Sequence, residues 1–177
     1  AQPAGQVRLE AVRAGQPVTL ASDYRLADGR LALTALSLTG PATRLAGGLD
    51  LDLAGPLATG RLQGGVGDLA ALAPWHGQDL AGALDLDLQL TAPQGRQDAS
   101  LGLGIDRLGG GFGRLQSARL DAAVRDALGR PELDTRLTAR GFAAPSDLTL
   151  DEASLSARGP LSALAIELEI DLRVDAP

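Results

Sequence analysis

The sequence predicts an all-β fold: an elongated antiparallel sheet, apolar on one face and charged on the other, with at most one or two short helices. Three observations predict it. Apolar and polar residues alternate at period two, a pattern that puts one residue class on each face of a strand. Gly-Pro, Asp-Gly and Gly-rich breaks separate these runs roughly every ten to nineteen residues, the spacing of meandering strands. The apolar matter is aliphatic: 35 of 177 residues are Leu, whereas Phe, Trp and Tyr together make up 2%.

The elements follow in chain order. Asp28-Gly29 lies between Tyr24–Leu26 and Leu31–Leu33, a hairpin signal, because a type I′ turn needs positive φ at both central positions. Leu49, Leu51 and Leu53 alternate with Asp50 and Asp52. Asp68 stands before Leu69-Ala-Ala-Leu-Ala73, which reads as one or two capped helical turns closed by Pro74. Over Leu80–Leu90, Leu84, Leu86, Leu88 and Leu90 alternate with Ala83, Asp85, Asp87 and Gln89. Leu101, Leu103 and Ile105 alternate with Gly102 and Gly104. Residues 117–129 fit two patterns. Leu120, Val124, Ala127 and Leu128 have helical spacing, but Leu120, Ala122 and Val124 also alternate, and the all-β context favours a strand. Near the end, Leu164, Ile166, Leu168, Ile170, Leu172 and Val174 oppose Glu167, Glu169, Asp171 and Arg173. Leu is a mediocre strand former, so here the pattern overrules propensity.

Ten to twelve such strands, about 4.8 Å apart, make a sheet on the order of 50 Å wide. A sheet of that width curls, splits or closes. With so little helix to cover it, the apolar face must meet itself in a sandwich, a barrel or a gutter. The leucines are then either a packed core or the lining of a groove that suits acyl chains, each buried CH₂ contributing about 0.8 kcal/mol.

Composition narrows the chemistry. The net charge is −6 and all 16 basic residues are Arg, without a basic stripe, so no nucleic-acid partner is expected. Without Cys there are no thiolate sites, and the single His76, read as a loop residue, gives no histidine metal centre. Asp50/Asp52 and Asp85/Asp87 are i, i+2 pairs on a strand face and read as a solvated surface rather than a catalytic or calcium pair. Gly109–Gly113 lacks the Lys-Ser/Thr of a phosphate loop and reads as a turn. Ser154, Ser156 and Ser162 have no neighbouring base. No catalysis, metal or cofactor is expected. The chain lacks Met, a secretory leader and any run of 18 apolar residues, as expected of an internal piece of a longer protein.

Several segments resemble one family. Gly67-Asp-Leu-Ala-Ala-Leu-Ala-Pro74 followed by Leu80-Ala-Gly-Ala-Leu-Asp-Leu-Asp-Leu88 resembles the TamB family of bacterial envelope proteins, which is related to the AsmA-like proteins. The opening hairpin Leu26–Leu33 with Leu36-Ser-Leu-Thr-Gly-Pro41 is similar too, as are Gly129–Gly141 and Leu155-Ser-Ala-Arg-Gly-Pro-Leu161 continuing to Leu172. The likeness runs from about Val18 to Arg173. It implies a β-taco, an elongated curled sheet around an apolar groove, in a single module of residues 1–177. The parent would be a periplasmic protein anchored in the inner membrane of a Gram-negative bacterium and meeting an outer-membrane Omp85-type barrel. The family is linked to phospholipid movement between membranes and to outer-membrane protein assembly. Its apolar stripe maps onto Leu49, Leu51, Leu53, Leu84, Leu86, Leu88, Leu101, Leu103, Ile105, Leu164, Ile166, Leu168 and Ile170. Self-association through exposed strand edges is expected of such a piece. The alternative is a dry-cored solenoid or sandwich spacer of an adhesin or autotransporter passenger. The absence of Asn, together with strand faces rich in Asp, Glu and Arg, argues against it. A polysaccharide-cleaving β-helix would need aromatic platforms that this chain lacks.

Overall fold

The computed structural model describes residues 2–146 and 148–174, apart from the side chains of His76, Leu172, Arg173 and Val174. Eleven strands form one antiparallel sheet in chain order. They are β1 (Ala4–Arg13), β2 (Gln16–Ala27), β3 (Arg30–Gly40), β4 (Thr43–Asp52), β5 (Ala58–Val66), β6 (Ala81–Thr91), β7 (Asp98–Gly110), β8 (Gly113–Arg125), β9 (Glu132–Ala143), β10 (Leu148–Pro160) and β11 (Ala165–Val174). Each strand pairs only with its neighbours in sequence, and the sheet does not close. Residues 117–125 belong to β8, so the alternation of Leu120, Ala122 and Val124 prevails over their helical spacing. The reason is tertiary: β7 and β9 supply hydrogen-bonding partners on both sides, which an isolated helix would forgo.

The turns follow local chemistry. Asp28 and Gly29 adopt φ of 50° and 72°, the left-handed pair that a two-residue hairpin requires. The β1–β2 turn repeats this with Ala14 and Gly15 at 51° and 76°. In the longest connection, Asp68 caps a 3-10 turn (Leu69–Leu72), its carboxylate accepting from the Ala70 N–H at 2.9 Å. Pro74 does not end the helical stretch. It lies in the first turn of a short helix, α1 (Ala73–His76), where its missing N–H removes no hydrogen bond. The His76 backbone is therefore helical, not loop, and its side chain lies outside the described residues.

Bulges keep the apolar residues on one face where the sequence changes phase. In β3, Leu31 and Leu33 are odd-numbered, whereas Leu36 and Leu38 are even-numbered. Ala35, at φ 51°, is the extra residue, and the register shifts there against both β2 and β4. β7 carries one extra residue around Arg107, at φ 50°, against β6, and β10 carries one at Asp151 against β11. Such insertions bend and twist their strands, which curls a wide sheet.

The β4–β5 pair depends on glycine. Gly60 and Gly64 have φ of 143° and 157°, and a Cβ on either would overlap the β4 carbonyl oxygen of Gly48 or Arg44.

The expected meeting of the apolar face with itself does not occur. Among the described residues no apolar side chain is buried, and the single buried polar residue is Gln97. The molecule exposes 11455 Å², against about 8,000 Å² for a compact monomer of this mass. The excess is the signature of a sheet left open.

Candidate apolar binding face

Cross-strand partners share a face, so the register shows which residues line it. One row crosses the whole sheet: Leu9, Leu20, Leu38, Leu45, Gly64, Leu86, Leu103, Leu120, Leu137, Leu155 and Leu168. Every strand contributes one residue, and all but Gly64 are leucine. The row passes near the middle of most strands, but close to one end of β3, β4 and β5, and runs on the order of 50 Å. Rows to either side hold Leu36, Leu62, Leu88, Leu101 and Ile166, and Val66, Leu84, Ile105 and Ile170. A further row joins Tyr24, Leu33, Leu49, Leu90, Val124 and Leu133.

The stripe drawn from the sequence therefore falls on one face, with two corrections. Leu53 follows β4 in the connection to β5 and is 58% exposed, and Leu164 precedes β11. Period-two counting carried both a residue past the point where the ladder stops. Leu49, Leu51, Leu84, Leu86, Leu88, Leu101, Leu103, Ile105, Ile166, Leu168 and Ile170 are all within strands. Sequence reasoning missed Leu9, Leu20, Leu38, Leu45, Leu120, Leu137 and Leu155, most of whose neighbours are Ala, Ser, Thr, Gly or Arg rather than carboxylates. The overlooked signal is spacing: Leu86, Leu103, Leu120 and Leu137 lie 17 residues apart, one strand plus one turn.

The face is half-covered along the central strands and open at the flanks, where Leu9 is 59% and Leu168 64% exposed. One margin has a roof. The segment between β5 and β6 reaches back over the first strands: the Trp75 indole N–H donates to the Arg13 carbonyl at 3.2 Å, and the Arg13 guanidinium donates to the Trp75 carbonyl at 3.3 Å. A Cβ placed on Gly40 would lie 3.6 Å from the indole and 3.7 Å from Val18, which sets the ring against the ends of β2 and β3. Beneath this segment, a concavity of about 790 Å³ is lined by Ala70, Ala73, Leu80, Gly110, Ala143 and Pro145.

The opposite face carries compensated charge. Arg61 donates to Asp87 at 2.9 Å, and Gln63 donates to the same carboxylate at 3.2 Å. Arg119 donates to Asp121 at 2.8 Å, Arg158 to Asp134 at 3.1 Å and Arg140 to Glu152 at 3.1 Å. The hydrogen bond from Arg61 holds the Asp87 carboxyl below its ordinary range, and Arg119 does the same to Asp121. A second concavity of about 790 Å³ lies over this face, bordered by Asp87, Gln89, Arg119, Asp121, Arg136 and Arg158. Asp85 and Asp87 occupy this solvated face, as read from the sequence, with Asp87 held by Arg61. Asp52 instead accepts from the Ala54 N–H at 2.9 Å as β4 ends. Among the described residues no three His, Asp or Glu side chains gather to hold a metal ion. No helix among them is long and apolar enough to cross a membrane.

Comparison with protein-family models, with curated proteins and with solved structures finds no match to this chain.

Proposed function

We propose that this chain is a non-catalytic binding segment of a TamB-like envelope protein, in which the apolar sheet face accommodates phospholipid acyl chains. One observation carries the reading: a leucine row crosses all eleven strands, and nothing in the described chain buries it. The central row itself holds only leucine and one glycine, side chains that offer no directional contact, so it selects a long, flexible hydrocarbon rather than a shaped ligand. Each CH₂ laid on such a face contributes up to about 0.8 kcal/mol. On this reading the parent lies in the periplasm, anchored in the inner membrane and working with an outer-membrane Omp85-type barrel. Phospholipid movement and outer-membrane protein assembly are the processes it serves. The adhesin-spacer alternative needs a dry interior, and the absence of any buried apolar side chain among the described residues gives it no support.

Native mass spectrometry with lipid extraction, on the chain expressed into a bacterial periplasm, tests this. Stoichiometric phospholipid is expected, together with its loss in Leu86→Asp, which puts a charge in the middle of the row. Leu86 is only half-buried, so this variant is expected to stay folded. A lipid-free mass on the folded parent chain overturns the reading.

A further inference from the structure

The β5–β6 connection differs from the others. It runs over residues 67–80, whereas no other connection is longer than six residues. Its Leu69–Leu72 turn and α1 form a strap in which Leu69, Leu72 and Trp75 recur every third position and are half-buried, while Asp68, Ala70 and Pro74 are exposed. Glycine stands at both ends of this helical part. The Gly67 N–H donates to the Ala42 carbonyl at 2.7 Å, and Gly77 has a φ of 69° with open space around it.

Trp75 sits where the sheet has a gap. Beside the leucine row lies the row of Thr43, Val66, Leu84 and Ile105, and on β3 its position falls to Gly40, opposite Thr43. The tip of the indole covers this gap: a Cβ on Gly40 would stand 3.6 Å from the ring, next to Val18 and the Thr43 side chain. An apolar group supplied by the chain itself thus lies beside Leu20 and Leu38 of the central row. The fastening is light. The bonds from the indole N–H to the Arg13 carbonyl and from the Arg13 guanidinium to the Trp75 carbonyl, at 3.2 and 3.3 Å, are both exposed to water. Among the described residues no ion pair joins the strap to the sheet. Water offers each latch group a substitute partner, so little free energy separates a seated strap from a lifted one.

We propose that the 67–80 strap is a self-inhibiting gate on the apolar face. Seated, Trp75 holds the Gly40 gap; lifted, by turning about Gly67 and Gly77, the strap yields that gap to an alkyl chain lying on Leu20 and Leu38. The proposal rests on the acyl-chain reading of the face and adds its regulation. When only a fraction of molecules has the strap lifted, the observed dissociation constant is the intrinsic one divided by that fraction. Loosening the latch therefore tightens alkyl binding, the opposite of what loss of a binding residue does.

Dodecyl maltoside below its micelle concentration, an uncharged single-chain amphiphile, tests the gate on the whole chain. Arg13→Ala and Trp75→Phe each remove one latch hydrogen bond. With the parent's circular dichroism, both are expected to bind the amphiphile about five-fold more tightly than the parent by titration calorimetry. Trp75 is the single tryptophan, so its fluorescence reports the strap alone. Arg13→Ala is expected to raise acrylamide quenching of Trp75 without ligand, and dodecyl maltoside to do the same in the parent, because the alkyl chain displaces the ring. Leu86→Asp, in the row away from the strap, loses amphiphile binding but keeps the parent's ligand-free quenching, which separates failure of the face from failure of the gate. Binding that ignores Arg13 and Trp75, or a Trp75 that dodecyl maltoside shields from acrylamide, overturns the gate and leaves the acyl-chain reading in place. Absence of binding in the parent and in both latch variants overturns the two together.

Discussion

Gln97 is the single buried residue among the described residues. It is 8% exposed and lies just before β7. Its side-chain oxygen accepts from the Ala58 N–H at 2.7 Å, and its amide donates to the Thr91 carbonyl at 3.1 Å and the Asp98 carbonyl at 3.0 Å. It thereby ties together the ends of three strands. Gln97→Ala leaves these backbone groups unpaired in a half-buried site and is expected to destabilise by about 2 kcal/mol, read as a lower denaturation midpoint at unchanged m-value. Nothing in the sequence marks this glutamine, because its partners come from three separate segments. The Arg61–Asp87 pair acts differently. The folded carboxyl titrates below its unfolded counterpart, so its contribution is present above the ordinary carboxylate pKa near 4 and fades as pH falls through the lowered value. Thermal unfolding of Asp87→Asn should therefore depend less on pH between about 5 and 2 than that of the parent. The effect is small, since both side chains face water.

At the scale of elements, strand polarity was legible and strand geometry was not. Alternation of Leu84 to Leu90 against Asp85 and Asp87 gave the faces correctly, because one misplaced residue would turn every side chain over. The phase change between Leu33 and Leu36 is visible in the sequence, yet only the left-handed Ala35 shows how the chain absorbs it. Glycine gives a similar lesson. Gly60 and Gly64 look like weak points of a strand, but the neighbouring carbonyls of Gly48 and Arg44 occupy the space of any Cβ there. Gly64→Ala must shift β4 away from β5 or abandon a backbone conformation open mainly to glycine, and is expected to cost about 3 kcal/mol or more in chemical denaturation. An exposed turn glycine such as Gly55, with open space around it, should accept the same change within about 0.5 kcal/mol.

For the whole molecule, the sequence showed a wide two-faced sheet but could not show whether it closes, since closure depends on summed bends that no local pattern encodes. The same open meander has a consequence for how stability is distributed. With no strand pairing with any but its sequence neighbours, the array behaves as a one-dimensional stack: its free energy is close to a sum of strand terms and adjacent-pair terms. No long loop closes before contacts form, so the chain can zip outward from any hairpin, a low-contact-order route unusual for so much β structure. Unfolding runs the other way, from the ends inward. Native-state hydrogen exchange is therefore expected to show protection rising smoothly from β1 and β11 towards β6–β9, and uniform protection across all strands would contradict this. In such a stack the number of strands sets the length of the apolar track, so that length can change by adding or deleting hairpins without redesigning a core.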